Sequence, residues 1–284
     1  EAAHVTQPTL SAGIKELEGC LGTVLVERGA RGASLTPAGE AAVMRARTIL
    51  TEAEDLVHAA RAAGEPLTGQ FRLGVIPTIA PFLLPRVLPA LGEAFSGLEL
   101  FLREDLTHRL IEALKERRLD AALIALPYEA SGIETRSIAM DEFLFAAPLD
   151  HRLAGEAHLK PAMLADEPLL LLEDGHCLRD HALSVCSASQ AASGPGSGRA
   201  DAARSDFAAT SLHTLVQMVR SGLGATVLPR LAVDGGLVEG LGLAVRPFDP
   251  PVAGREIGMA WRRGSARADE AARLADAVRD ALKA

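Results

Sequence analysis

The sequence predicts an α/β protein in which a helix-and-hairpin unit and one long helix precede a wound sheet. Three observations carry this expectation. From Gly69 onward, short apolar runs of strand character alternate with runs of helical spacing, as in sheets wound with crossover helices. Ahead of that point the chain reads as helix, strand, turn, strand and then a helix from about Ala38 to Ala63. Finally, 48% of the 284 residues are hydrophobic, enough for two or three compact units.

The elements follow in order. Thr6 is a candidate N-cap and Pro8 suits a first helical turn. Leu10, Ile14, Leu17 and Leu21 then form an apolar stripe that Gly22 ends. Val24–Val26 is expected as a strand and Gly29–Gly32 as the turn of a wing. Cys20 falls at a helix position read as half-buried. Thr36 and Pro37 cap the long helix, whose Ala and Leu spacing fits a dimerising connector; Gly64-Glu-Pro66 breaks it. Strands are then expected at Phe71–Ile76, Leu98–Arg103 and Leu119–Leu126, with helices starting near Pro77–Pro81 and running from Thr107 to about Arg117. The continuous apolar content of Leu119–Leu126 marks a buried parallel strand. A second set runs from Phe143 to Arg246, including strands at Pro168–Leu172 and Ala225–Leu228. Ile257–Trp261 and an Ala-rich helix, Arg267–Ala284, close the chain. Ser187–Gly198 reads by composition as a flexible loop starting directly after Cys186.

Charge and composition exclude several classes. The net charge is −8, and the first 63 residues carry six cations against eight acids. There is no basic field, so any DNA contact rests on local placement of a few cations. No apolar run approaches the roughly 20 residues of a membrane span. No secretory signal is recognised, and three cysteines do not make a disulfide framework. A cytoplasmic, reducing address is expected. The chain opens without Met inside a helical motif, which reads as an N-terminal truncation.

The chemistry concentrates in Leu171–His181. Cys177 sits between His176 and Arg179, and Cys186 follows nine positions later. Cationic neighbours lower a thiol's pKa, and the thiolate is the nucleophile. A sulfenic acid on one cysteine can be captured by a second as a disulfide. The run from Leu178 to Val185 has helical spacing, with Leu178, Ala182 and Val185 on one face. If helical throughout, it separates the two Cα atoms by roughly 13 Å, against the roughly 7 Å that a disulfide tolerates. Bridging then requires unwinding. Two ordinary half-buried thiols in a reduced cytosol account for the spacing equally well.

These residues resemble the LysR-type transcriptional regulators. Gln7-Pro-Thr-Leu-Ser11, Ile14-Lys15, Leu17-Glu18, Leu21-Gly22, Glu27-Arg28, Arg31 and Leu35-Thr-Pro-Ala-Gly39 match that family's winged helix-turn-helix in order and spacing. Ile76-Pro-Thr-Ile79, Thr107-His108, Glu173–Asp180, Cys186, Thr210–Leu215 and Gly222–Pro229 are similar to its hydrogen-peroxide-sensing branch. Two departures from that branch stand near the thiols: Ala208 follows Phe207 where an Arg is frequent, and the 187–204 loop is long.

The resemblance implies a partial winged helix-turn-helix over 1–38 and a dimerisation helix over 39–64. A two-lobed regulatory domain of the periplasmic-binding-protein type would follow. Its first lobe takes 65–141 and 255–284, its second 142–254. It implies Cys177 as peroxidatic and Cys186 as resolving cysteine, with Thr78, Thr107, His176, Arg179, Asp180 and Arg255 at the peroxide pocket. Thr78 and Thr107 each precede a helix, so N-capping is the simpler role for either alone; Arg255 has the same standing as a surface ion-pair member. Gln7, Pro8, Thr9 and Ser11 would meet bases or phosphates in the major groove, and Lys15, Arg28 and Arg31 phosphates and the groove under the wing. Implied partners are promoter DNA, hydrogen peroxide, further copies of the chain as dimer or tetramer, RNA polymerase and a thiol reductant. No cofactor, metal, membrane or enzymatic turnover is implied. Three alternatives stay open: a regulator answering a small anionic metabolite between the lobes, a two-lobed solute-binding protein, and a thiol peroxidase.

Overall fold

The computed structural model describes residues 6–29, 32–61, 67–164, 167–190, 203–250 and 253–283. The chain divides into two compact units, Glu1–Arg61 and Ala62–Ala284.

In the first unit, helix α1 (Gln7–Leu21) has a proline in its first turn and ends on Gly22, whose φ of 66° is the left-handed closure that glycine accepts without strain. Thr6 stands at the N-cap in extended backbone, but its hydroxyl meets Thr9 Oγ1 at 2.9 Å instead of capping a backbone N–H. The Glu18 carboxylate accepts from the backbone N–H groups of Leu25 (2.7 Å) and Val26 (3.1 Å) and so fixes the chain entering the hairpin. Strands β1 (Val26–Gly29) and β2 (Gly32–Leu35) pair antiparallel. The first begins later than Val24 because Val24 and Leu25 are tied to the next helix: Thr36 Oγ1 donates to Val24 O at 2.8 Å. That hydroxyl also accepts from Gly39 N at 2.9 Å, capping helix α2 (Pro37–Arg61) as expected. Most of the apolar stripe of α1 is exposed: Leu10, Leu17 and Leu21 are exposed and Ile14 is half-buried, and Met44, Ile49, Leu50 and Leu56 of α2 are exposed as well. Cys20, expected half-buried, is exposed. The break at Gly64–Pro66 lies outside the described residues.

Gly39 shows why this unit demands a glycine. A Cβ there would run into the backbone oxygen of Leu25 and press on the Leu35 side chain. Gly39→Ala is expected to cost about 1–3 kcal/mol, the usual penalty for overpacking. Faster hydrogen exchange at the amides of β1 and α2, with residues 67–283 unchanged, is the readout.

The second unit runs β3 (Gly69–Val75), α3 (Ala80–Ala94), β4 (Leu98–Glu104), α4 (Thr107–Lys115), β5 (Ala121–Leu126) and β6 (Ile133–Pro148). It continues with β7 (Leu169–Leu172), α5 (Cys177–Gln190), β8 (Ala203–Ala209), α6 (Leu212–Arg220) and β9 (Thr226–Pro229), then α7 (Arg230–Asp234), β10 (Leu243–Pro247), β11 (Gly254–Arg262) and α8 (Ala268–Lys283). The strand order is β10-β6-β11-β5-β3-β4, with β9 also on β6 and β7–β8 as a separate parallel pair. β3 lies parallel to β4 and β5, whereas β11, β6, β9 and β10 pair antiparallel. The architecture is the expected two-lobed α/β fold, but its sheet is mixed. Every residue of β5 is buried, as its continuous apolar run requires.

The long strand β6 was expected only from Phe143. Its first part pairs with β11 from Ile133 to Glu142, and its second part pairs with β9 and β10 from Phe143 onward. The register to β11 slips where Ile257 faces Ala139 and Gly258 faces Ser137, so Ile138 is the extra residue of a bulge. The bulge breaks the alternation by which a strand is read. Helix α5 also differs from expectation: it continues through Ser187–Gln190, so no loop starts at Cys186. The remainder of the expected Ser187–Gly198 loop, 191–198, lies outside the described residues, and β8 begins at Ala203, inside the 187–204 stretch expected as a long loop.

Candidate functional site

The site is assembled around Arg255. On β11 it lies opposite Asp141 of β6 in register, and both are buried, at 1% and 4% exposure. Its Nε donates to Asp141 Oδ2 at 3.0 Å, Nη1 to Thr78 Oγ1 at 2.6 Å and Nη2 to the Thr78 carbonyl at 2.9 Å. The other Asp141 oxygen accepts from Leu231 N at 2.9 Å, at the start of α7. A buried ion pair survives only when its remaining polar atoms find partners, and these bonds supply them. Arg255 is therefore a core residue, not a surface ion-pair member. Thr78, in the turn from β3 to α3, holds Arg255 and caps nothing.

Cys177 is the first residue of α5. Gly175, at φ 96°, turns the chain out of β7 so that Cys177 enters the helix half-buried. Burial pushes the Cys177 thiol above its ordinary range. The Arg255 charge, the Thr107 hydroxyl and the backbone N–H groups of Cys177 and Leu178 oppose that push. The expectation that His176 and Arg179 would lower this pKa is overturned. Arg179 turns away, with Nε 3.0 Å from Asp174 Oδ1 and Nη1 donating to the Leu172 carbonyl at 3.1 Å. His176 is half-buried and held below its ordinary value by that burial, with Glu173 opposing, so it is largely uncharged at neutral pH. The cation that acts on the thiol comes from β11, 78 positions along the chain (255 less 177).

Thr107, first residue of α4, is 5% exposed and makes no side-chain cap. Its hydroxyl is close enough to Cys177 to favour the thiolate, yet it makes no hydrogen bond of normal geometry among the described residues. A buried hydroxyl left so is costly, and it stands beside the Cys177 sulfur. Asp180 is exposed in the first turn of α5, where a carboxylate suits the helix dipole; it acts on His181 rather than on the thiol. His181 itself was not foreseen. It lies one turn after Cys177, its ring tilted against Phe143 at 6.3 Å. Burial first and Arg255 second hold it below its ordinary value, against Asp180. Asp141 was not foreseen either.

Cys186 sits within α5, nine residues after Cys177. Helical rise separates their Cα atoms by roughly 13 Å.

Of the residues expected at DNA, Gln7, Pro8, Thr9 and Lys15 are exposed on α1 and Ser11 is half-buried. Arg28 lies in β1, and Arg31 is outside the described residues. Ala208 pairs with Leu171 across β7–β8. No helix among the described residues is long and apolar enough to cross a membrane.

A helix-and-hairpin unit ahead of a two-lobed α/β unit is the architecture of a bacterial transcriptional regulator with a sensing domain. Residues 1–40 match the family described as bacterial regulatory helix-turn-helix protein, lysR family, and residues 64–283 match the LysR substrate binding domain. The chain belongs to the LysR family. A relative from Mycobacterium avium, named a probable hydrogen peroxide-inducible genes activator, is 43% identical over 281 residues, or 98% of this chain and 86% of its own. Full-length OxyR from Pseudomonas aeruginosa with a cysteine-to-aspartate change has a TM-score of 0.75 at 35% identity, covering 97% of this chain and 86% of that one. A mutant of Corynebacterium glutamicum OxyR with a cysteine-to-serine change, hydrogen peroxide bound, has a TM-score of 0.74 at 34% identity, covering 99% and 86%.

Proposed function

We propose that this chain is a DNA-binding transcriptional regulator that senses hydrogen peroxide by reversible oxidation of Cys177 and Cys186. The observation that carries the reading is the placement of Cys177. A half-buried thiol stands at a helix N-terminus, in the field of a buried arginine and beside the Thr107 hydroxyl. Peroxide needs such donors and acceptors to hold one oxygen toward sulfur while the other leaves. The similarity to peroxide-inducible activators, one of them with peroxide bound, supports the same reading.

In the reaction, the Cys177 thiolate attacks one peroxide oxygen, giving a sulfenic acid and hydroxide, which is protonated to water. The Cys186 thiol displaces that hydroxyl as a second water and closes the disulfide. A dithiol reductant then restores both thiols while being oxidised itself. One peroxide is consumed per cycle, so the chain acts as a switch and not as an enzyme. Thr78 and Arg255 support the pocket, with His176, Arg179 and Asp180 around the thiol. Gln7, Pro8, Thr9, Ser11, Lys15, Arg28 and Arg31 form the DNA face. The protein works in the cytoplasm as a dimer or tetramer on promoter DNA, in contact with RNA polymerase. Residues 1–38 bind DNA and 39–64 dimerise. The lobes are 65–141 with 255–284, and 142–254. A metabolite anchored at Thr78 is disfavoured, because that hydroxyl is buried and already accepts from Arg255.

Mass spectrometry after a brief, near-stoichiometric peroxide pulse tests the proposal. The wild-type chain is expected to lose two hydrogens as a Cys177–Cys186 disulfide. Cys177→Ser is expected to form no disulfide and to leave promoter occupancy insensitive to peroxide. An unchanged peroxide response in that variant refutes the mechanism.

A further inference from the structure

We infer that His181 is the base that takes the proton from Cys177 as its sulfur attacks peroxide. This rests on the reading of Cys177 as the peroxide-reactive thiol and adds a group to that site.

The need for a base comes from the thiol's surroundings. Burial keeps the Cys177 proton on sulfur, yet only the thiolate is nucleophilic. Arg255 stabilises the thiolate once it forms but cannot accept a proton. Thr107 offers a hydroxyl, which is no base near neutral pH.

Geometry selects among the imidazoles. His181 is four residues after Cys177 in α5, and residues so spaced share a helix face with Cβ atoms roughly 5–6 Å apart. The same guanidinium acts on both side chains. The Phe143 ring on β6 packs against the imidazole. His176 instead precedes the helix, and the charge that acts on it is Glu173.

Among the described residues, the charges that act on His181 are those of Arg255 and Asp180. Arg255 projects from β11 and is fixed by Asp141 of β6; Asp180 and Cys177 are on α5 itself. Burial and Arg255 disfavour protonation of the ring to imidazolium, while Asp180 opposes them from its exposed position.

The step balances. The thiol proton passes to the imidazole as sulfur bonds to the near peroxide oxygen and the O–O bond breaks. The departing hydroxide takes the proton back from the imidazolium and leaves as water. The net change is thiol plus peroxide to sulfenic acid plus water, with His181 restored. Repulsion from Arg255 favours that return.

The test measures sulfenic acid formation at Cys177 across pH in the full chain, in a Cys186→Ser background that stops the reaction there. With His181 intact, the rate is expected to fall toward acid pH as the imidazole protonates. His181→Gln should lower the plateau rate by roughly a hundredfold, the low end of general-base contributions, and replace that acid limb with one that follows the raised titration of the Cys177 thiol itself, displaced to higher pH. His181→Ala with added imidazole should recover part of the rate, a readout that a merely structural role for the ring would not move. An unaltered rate and pH profile in His181→Gln, or no imidazole rescue of a folded His181→Ala, overturns the role of His181 alone. A thiol inert to peroxide with His181 in place overturns the sensor reading itself.

Discussion

Arg255→Met is expected to lower the unfolding free energy of the two-lobed unit by about 3–5 kcal/mol, the cost of breaking a buried pair by removing one partner. The size follows from what is left behind. Asp141 stays 4% exposed with its charge uncompensated, and the Thr78 hydroxyl and carbonyl both lose their donor. Arg255→Lys should recover only part of the loss, because an ammonium is a point charge and cannot fork to a carboxylate and to both Thr78 oxygens. The double variant Arg255→Met, Asp141→Leu should regain most of the stability, since a buried pair exchanged for apolar packing is often neutral. It should not regain thiol reactivity, because the cation that favours the Cys177 thiolate is gone. Urea denaturation and the peroxide rate at Cys177, measured on the same variants, separate the two effects. A loss below about 1 kcal/mol in Arg255→Met, the scale of an exposed pair, excludes the buried pair as a mainstay of the fold.

Much of the fold was legible because burial leaves periodic traces. The continuous apolar run of β5, the Ala-rich run of α8 and the Thr36 cap of α2 all appear near their expected places. Strand direction left no such trace, and the sheet is mixed where parallel winding was expected. β6 was obscured for a local reason: the bulge at Ile138 shifts its inward positions, and Glu134, Arg136 and Asp141 interrupt its apolar residues.

The site divides along the same line. His181 was readable in principle, since a histidine four positions after a cysteine in a helical run shares its face. Asp141 was not, because only the register between β6 and β11 brings it to Arg255, 114 positions away. The direction of the Cys177 shift was misread for a related reason. Sequence neighbours at positions 176 and 179 look like cations around the sulfur, but helix entry and the Asp174 pairing point them elsewhere. Burial, a tertiary property, then dominates.

Oxidation to the proposed disulfide should dismantle helix α5. Between Cys177 and Cys186 the helical rise amounts to roughly 13 Å, nearly twice what a disulfide spans. Closing that gap means abandoning backbone hydrogen bonds along the intervening turns. Leu178 and Ala182, both 2% exposed and part of the core, would be drawn out of their packing or forced to repack. Burial of a leucine alone is worth about 1.5–3 kcal/mol, so the disulfide works against a packed surface and the lobe must rearrange. That rearrangement gives a covalent event at one sulfur its means of altering subunit contacts. Hydrogen exchange should therefore show protection across 178–186 falling by roughly a hundredfold or more on oxidation, as for a segment moved from core-like to local opening. Cys186→Ser should acquire the sulfenic acid at Cys177 with α5 protection largely intact, because no second sulfur pulls on the helix. A disulfide between the two residues that leaves those amides protected would mean the helix was never an obstacle, and the coupling from thiol chemistry to quaternary structure would have to run elsewhere.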